Sequence, residues 1–210
     1  MEPSPAVALQ YMKGLQSPQP YRYSFRLRNG MFAPVPAGIM DFQQTITSTY
    51  FTERPQMIWV GFQNQCNVVN QTMNRACYYH ENIQTAYIQM NNTQFPTVKV
   101  EADWTQNDYG FFYEMQEHVR ANYLQIADTY SEGNMLNPVN FKDLYLILCF
   151  DVSKQESSLG SNSITCDLHV KFRAATPDNL RVYIVWFNDR TLEMHTDGSP
   201  ITILNQTDNY

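Results

Sequence analysis

Apolar and polar residues alternate along much of this chain, and a period of two predicts strands whose successive side chains point to opposite faces. From Tyr21 to Arg28, Tyr21, Tyr23, Phe25 and Leu27 fall on one side while Arg22, Ser24, Arg26 and Arg28 fall on the other, as in a half-buried strand. The pattern is clearest where Ile164, Cys166, Leu168, Val170 and Phe172 interleave with Thr165, Asp167, His169 and Lys171, within a strand predicted over 162–173. Strands are also predicted at 40–49, 83–90 and 95–100. The runs Met57–Phe62, Leu144–Phe150 and Leu180–Phe187 are apolar without alternation, which predicts strands covered on both faces.

One segment carries a helical period instead. Within 109–127, Phe112, Met115, Val119, Tyr123 and Ile126 recur at three- and four-residue steps, with Glu114, Glu117 and Arg120 off that stripe. Turns are marked by Pro34, Pro36 and Gly38, by the serines and glycine of 157–163, and by Pro177-Asp178-Asn179. The Asn- and Gln-rich stretch 63–80 reads as a long loop and 131–140 as turn-rich. About eight strands, one helical insertion and no βαβ alternation point to an all-β sandwich or barrel, with strand pairing left open. Residues 1–20, with Pro3, Pro5, Pro18 and Pro20, read as an extended arm or linker, residues 21–195 as one domain, and 196–210 as a flexible tail with a short apolar patch at 201–204.

Composition agrees with strands. Of 210 residues, 43% are hydrophobic and 14% aromatic, enough to bury one substantial core, while only 16% are charged. A net charge of −6 offers no basic footprint for wrapping phosphate, so direct nucleic-acid binding is not expected. No stretch reaches the roughly 18 consecutive apolar residues of a membrane span, and Met1–Leu15 lacks the basic-then-apolar order of a signal peptide, so a soluble, non-secreted chain is expected. Cys149 and Cys166 sit in apolar strand-like runs, where a thiol behaves as a small hydrophobe, and reduced cysteines are expected. Three glycosylation sequons, at Asn70, Asn91 and Asn205, arise easily in an Asn-rich chain and matter only on a secretory route.

Candidate chemistry is sparse. Cys66, Cys77 and His80 have no apparent fourth partner and poor spacing for zinc. No phosphate-cradling glycine loop, G-x-S-x-G elbow or H-E-x-x-H motif is present. His169 on a polar strand face and His118 near Glu114 on the predicted helix have plain surface roles. Asp151 and Asp189 follow apolar strands, where a carboxylate more often bonds local backbone than takes part in acid–base work. Trp59, Trp104 and Trp186 could line a sugar site, although Trp59 and Trp186 lie in apolar strands suited to core packing. No catalytic, cofactor-binding or metal residue is expected, and no enzyme.

The order of these segments resembles a known family. Phe51-Thr52-Glu53-Arg54-Pro55-Gln56-Met57-Ile58-Trp59-Val60-Gly61-Phe62 is similar to the start of the second jelly roll in double jelly-roll major capsid proteins of the Polinton/Maverick, adintovirus and virophage lineage. Asn82–Met90 followed by Gln94-Phe95-Pro96 resembles that family's strand, short turn and aromatic-Pro step, and the segment 109–127 occupies the place of its helical insertion. The most specific likeness is Asn140-Phe141-Lys142-Asp143-Leu144-Tyr145-Leu146-Ile147-Leu148-Cys149-Phe150-Asp151-Val152-Ser153-Lys154-Gln155, with Leu146 where the family commonly has Pro. The strands at 162–173 and 180–187, then Asn188-Asp189-Arg190, resemble its ending.

The resemblance implies a jelly-roll sandwich with one inserted α-helix over 21–195. It implies a structural capsid protein that self-associates, as a homotrimer of pseudo-hexagonal outline, and meets other major or penton capsid subunits. The implied location is the virion capsid, with assembly in the host cytoplasm or nucleus. The family carries two jelly rolls and this sequence has room for one, so it reads as the C-terminal part of a longer protein, a truncated genome-integrated copy, or a single jelly roll with a separate partner. The alternatives are a carbohydrate- or ligand-binding jelly-roll module and a host-domesticated capsid-derived protein.

Overall fold

The structure, a computed structural model, describes residues 4–7, 9, 21–46, 55–119, 136–154, 165–194 and 202–205. Among these, nine strands form: β1 (Tyr21–Pro34), β2 (Asp41–Thr45), β3 (Pro55–Asn64), β4 (Ile83–Met90), β5 (Thr93–Phe95), β6 (Ile147–Asp151), β7 (Cys166–Phe172), β8 (Leu180–Met194) and β9 (Thr202–Asn205). Helices accompany them at α1 (Gln65–Val69), α2 (Gly110–His118) and α3 (Pro138–Asp143), besides the helical residues 5–7 and 9. One sheet has the order β1-β8-β3-β6 with β9 on β8, and the other has the order β2-β7-β4-β5. Apart from the β4–β5 and β8–β9 pairs, successive strands pass from one sheet to the other, which is the winding of a jelly roll.

The clearest alternating segment, β7, is a central strand. It is flanked by β2, with Phe42 opposite Val170, and by β4, with Ala86 opposite Val170. Cys166, Leu168, Val170 and Phe172 are buried, and the residues between them are not. Full burial of Leu168, Val170 or Phe172 contributes about 1.5–3 kcal/mol each by removing apolar surface from water. Facing them across the sandwich are Ile58, Val60 and Phe62 of β3, Leu148 and Phe150 of β6, and Val182, Ile184 and Trp186 of β8, all in one apolar cluster. Phe62 and Phe172 meet edge to face at 5.6 Å.

The three continuous apolar runs have a second cover, which explains why they do not alternate. On the side of their sheet away from this core, Met57, Cys149 and Phe187 form a separate cluster with Val119, just past the end of α2, and with Trp59, Ile147 and Val185 packed against it.

The chain divides into two units, Arg28–Phe187 and a smaller one made of Met1–Leu27 with Asn188–Tyr210. The larger holds both apolar clusters. In the smaller, β1 and β8 are tied by Arg22–Glu193 at 3.0 Å, Ser24–Thr191 at 3.0 Å and Arg26–Asp189 at 3.1 Å, and β9 pairs Thr202–Asn205 with Arg190–Glu193.

Several boundaries differ from the sequence reading. The expected strand at 95–100 is instead Thr93–Phe95, because Pro96 has no N–H to continue a ladder, and the turn lies earlier, where Asn91 takes φ 50°. The strand expected from Leu144 begins at Ile147, because Tyr78 takes the hydrogen bonds of Leu144 and Leu146 at 2.8 and 3.0 Å. The expected helix 109–127 is described only to Val119, and its later positions, Tyr123 and Ile126 among them, lie outside the described residues. The single-helix expectation is corrected by α1 within the expected loop and by α3. Each starts at an Asn whose side chain accepts a backbone N–H, Asn64 from Cys66 at 2.9 Å and Asn137 from Asn140 at 2.7 Å. Residues 5–7 and 9 of the expected extended arm are helical, while Glu53, Arg54, Ile164 and the turn at 157–163 lie outside the described residues.

Candidate functional site

Most side chains with possible chemistry are occupied structurally. Trp104 is 2% exposed and donates from Nε1 to the Ile83 carbonyl at 2.6 Å, and Trp186 is buried in the core. Trp59 is half-buried against Phe187 at 4.6 Å. Asp151 accepts from the Ser153 amide at 3.0 Å and hydroxyl at 2.6 Å, the local turn role expected of it. Asp189 departs from that expectation: it lies inside β8 and pairs with Arg26 rather than with a turn. The reason is that β8 runs seven residues beyond Phe187, so the apolar run ended before the strand did.

His169 stacks on Tyr87, its register partner in β4, at 4.8 Å, which is cross-strand pairing, and His118 is exposed in the last turn of α2. Cys66 is exposed and Cys77 buried, and among the described residues no three His, Cys, Asp or Glu groups gather around a common point. Cys149 and Cys166 are free and buried, and burial pushes the Cys149 thiol up and the Cys166 thiol up to about 12. Among the sequons, Asn70 is exposed, Asn91 spends its side-chain oxygen on the Thr165 amide at 3.0 Å, and the side chain of Asn205 lies outside the described residues.

The long excursions between strands are the distinctive part. The segment 65–82 joins β3 to β4, and 96–146 joins β5 to β6. An aromatic stack fastens them to each other and to the body: His80 lies on Trp104 at 4.8 Å, Trp104 on Tyr109 at 5.3 Å, and Tyr109 and Tyr113 meet Phe141 at 6.2 and 5.4 Å. Tyr109 and Tyr113 also donate to the carbonyls of Pro138 and Leu136, at 3.1 and 2.8 Å. Arg173 clamps the second excursion from the loop after β7, donating to the Ala102 carbonyl and pairing with Asp103 at 3.2 Å. The Thr105 hydroxyl first, and Arg173 in addition, hold the Asp103 carboxyl below its ordinary range. His80 is held below the usual imidazole value by burial and by Lys142, with Asp143 pulling the other way, while burial raises the Glu81 carboxyl.

Exposed apolar side chains concentrate on these excursions. Val69 is 78% exposed, Val98 66% and Val139 62%, and Met73, Phe111 and Leu144 are also exposed. A second exposed feature lies on the outer face of the first sheet. Phe32, 61% exposed, sits 6.1 Å from the Tyr183 ring with Arg181 5.4 Å over its face, and Tyr78 packs edge-on to Tyr183 at 6.3 Å. Gly61 makes room for that ring, because a Cβ there would stand 2.7 Å from Tyr78. Neither Phe32 nor the reach of Tyr78 was singled out from sequence. Alternation along β1 carries on past Arg28 to Pro34 and marks Phe32 as outward.

A two-sheet jelly roll with long excursions defines a class of shell-building and binding domains. The chain belongs to the double jelly roll-like domain family, whose model matches residues 6–192. None of the functionally curated proteins matches its sequence. Among solved structures it is similar to the PBCV-1 virus capsid, at 10% identity and TM-score 0.55, covering 94% of this chain and 55% of that one. It is also similar to a Sputnik virophage protein, at 14% identity and TM-score 0.49, covering 91% of this chain and 41% of that one. The chain therefore spans about half the length of the solved chains it matches. No helix among the described residues is long and apolar enough to cross a membrane.

Proposed function

We propose that this chain is a capsid-building jelly roll, a structural and non-enzymatic subunit of a viral or virus-derived shell. The observation that carries the reading is the double jelly roll-like family match over residues 6–192, on a fold shared with the PBCV-1 capsid. The distribution of apolar surface supports it. The sandwich interior is closed, while Val69, Met73, Val98 and Val139 stand out on the excursions, as apolar contacts for a second subunit. In this reading residues 21–195 form the block and 1–20 and 196–210 are contact arms. The block self-associates as a homotrimer and meets other capsid subunits, in the Polinton/Maverick, adintovirus and virophage lineage suggested by the segment 140–155. Its place is the virion capsid, after assembly in the host cytoplasm or nucleus.

Native mass spectrometry and light scattering over a concentration series test this, with trimers or larger assemblies expected. A chain that stays monomeric at its solubility limit, and captures no jelly-roll partner, overturns the reading. A second reading, a carbohydrate-binding module, draws on Phe32 with Arg181 over its face and the Tyr183 ring 6.1 Å away. Saturable glycan binding lost in Phe32→Ala would favour it.

A further inference from the structure

The turn before β4 has an unusual construction. Glu81 and Asn82 both take positive φ, at 45° and 54°, a conformation that side-chain-bearing residues hold in succession only where surrounding contacts enforce it. Those contacts are few and specific. The Asn82 amide donates to His80 Nδ1 at 3.0 Å, the Ile83 amide donates to the His80 carbonyl at 2.8 Å, and the Asn82 carbonyl accepts from the Arg173 amide at 2.8 Å. The His80 ring lies flat on Trp104, 4.8 Å between centroids and 7° from parallel, and Trp104 in turn donates to the Ile83 carbonyl. One imidazole thus supports the turn through its nitrogen and the second excursion through its face.

An imidazole that accepts at Nδ1 must be neutral with its proton on Nε2, because a protonated ring has only donors. We propose that His80 is an acid-sensitive latch joining the 65–82 and 96–146 excursions: protonation turns Nδ1 into a donor facing the Asn82 amide, and the Glu81–Asn82 turn comes away from the Trp104 stack.

The groups around the ring set the direction. From α3, Lys142 opposes a second positive charge and Asp143 favours it. Lys142 is tethered to Asn107 at 2.8 Å. From the 96–109 segment the ring meets the Trp104 face, which attracts an imidazolium and works against release. From its own segment the neighbour is Glu81, whose burial favours the uncharged acid, so it offers a protonated ring little counter-charge at low pH. Burial of the imidazole is the largest influence and keeps the ring neutral. Because the folded-state value lies below the ordinary 6.5, the latch is closed above that value and opens as pH falls through the lowered one.

Hydrogen exchange of the full chain, corrected for intrinsic rates, tests this between about pH 7.5 and about pH 5, on either side of the ordinary imidazole value. Opening of peptides covering 78–84 and 102–109 is expected to rise on the order of tenfold over that range, with β7 unchanged. His80→Asn is the informative variant, since its side-chain oxygen accepts the same amide two residues on and does not titrate. It should hold both peptides closed throughout, while His169→Gln and Glu81→Gln keep the wild-type response. An NMR titration of His80 in the wild-type chain decides the matter if His80→Asn does not fold. A His80 pKa at or above 6.5, or the same acid response in wild type and His80→Asn, overturns the proposal.

Discussion

The two ends of β1 and β8 show what an alternating pattern does and does not specify. In Arg28–Phe187, the second part of β1 and the first part of β8 send Ala33, Val182, Ile184 and Trp186 into the apolar cluster, with at most 7% exposure. In the smaller unit β1 keeps its alternation, but Tyr23 is 57% exposed and Phe25 only half-buried, and the ties to β8 include two Arg–carboxylate pairs and a hydroxyl pair. Burial of apolar area stabilises by kilocalories per side chain, whereas a solvent-exposed ion pair contributes about 0–1 kcal/mol. One strand can therefore be core at one end and a lightly held ribbon at the other. Periodicity reports the geometry of a strand and not what covers it.

The largest expected contrast comes from the body. Phe172→Ala removes a ring fully buried against Phe62 and should cost about 3–5 kcal/mol, read as a lowered denaturation midpoint. A loss below about 1 kcal/mol would break the comparison, because a site that collapses so easily is not close-packed. Gly61→Ala should cost about 1–3 kcal/mol by forcing the Tyr78 ring off β3, and a double variant with Tyr78→Ala should recover most of it.

The buried thiols sharpen the contrast through pH. Burial raises both folded-state values above the ordinary 9.0, so the contribution is present below that value. Above it the unfolded chain loses protons that the folded chain keeps, and stability should fall by about 1.4 kcal/mol per pH unit per thiol. Cys149→Ala with Cys166→Ala should flatten that slope. In native protein, Cys66 should react with a thiol reagent while Cys149 and Cys166 react only on denaturation. The smallest effect is expected in the ribbon: Arg26→Ala, a partner of Asp189, should change global stability by less than about 1 kcal/mol, with added salt reducing the difference further. A loss comparable to that of Phe172→Ala would show that the ribbon is integral to the cooperative unit.

The candidate surfaces were legible in part. The Asn- and Gln-rich 63–80 stretch and the helical insertion mark excursions, because a long polar run without alternation and a helical period both break the strand pattern. Asn137-Pro138 also carried the start of α3, as a capping residue followed by a residue with no amide to satisfy. The contact of His80 with Trp104 was not legible, since 24 positions separate them and no local period links them. Asp189 was misread for a related reason: nothing in its neighbours shows that β8 continues to face Arg26 across the sheet.

What the sequence determined by itself is the position and facing of the strands: β4 and β7 lie where alternation placed them, and β3, β6 and the Val185–Phe187 part of β8 meet apolar side chains on both faces as their continuous apolar runs required. These are local properties, because a side chain's face follows from its index along the strand. Only the tertiary structure decided that β7 lies between β2 and β4, that Val119 closes the outer cluster, and that His80 joins two excursions. Such choices depend on the mutual fit of segments far apart in the chain, and packing complementarity of that kind leaves no period in either segment alone.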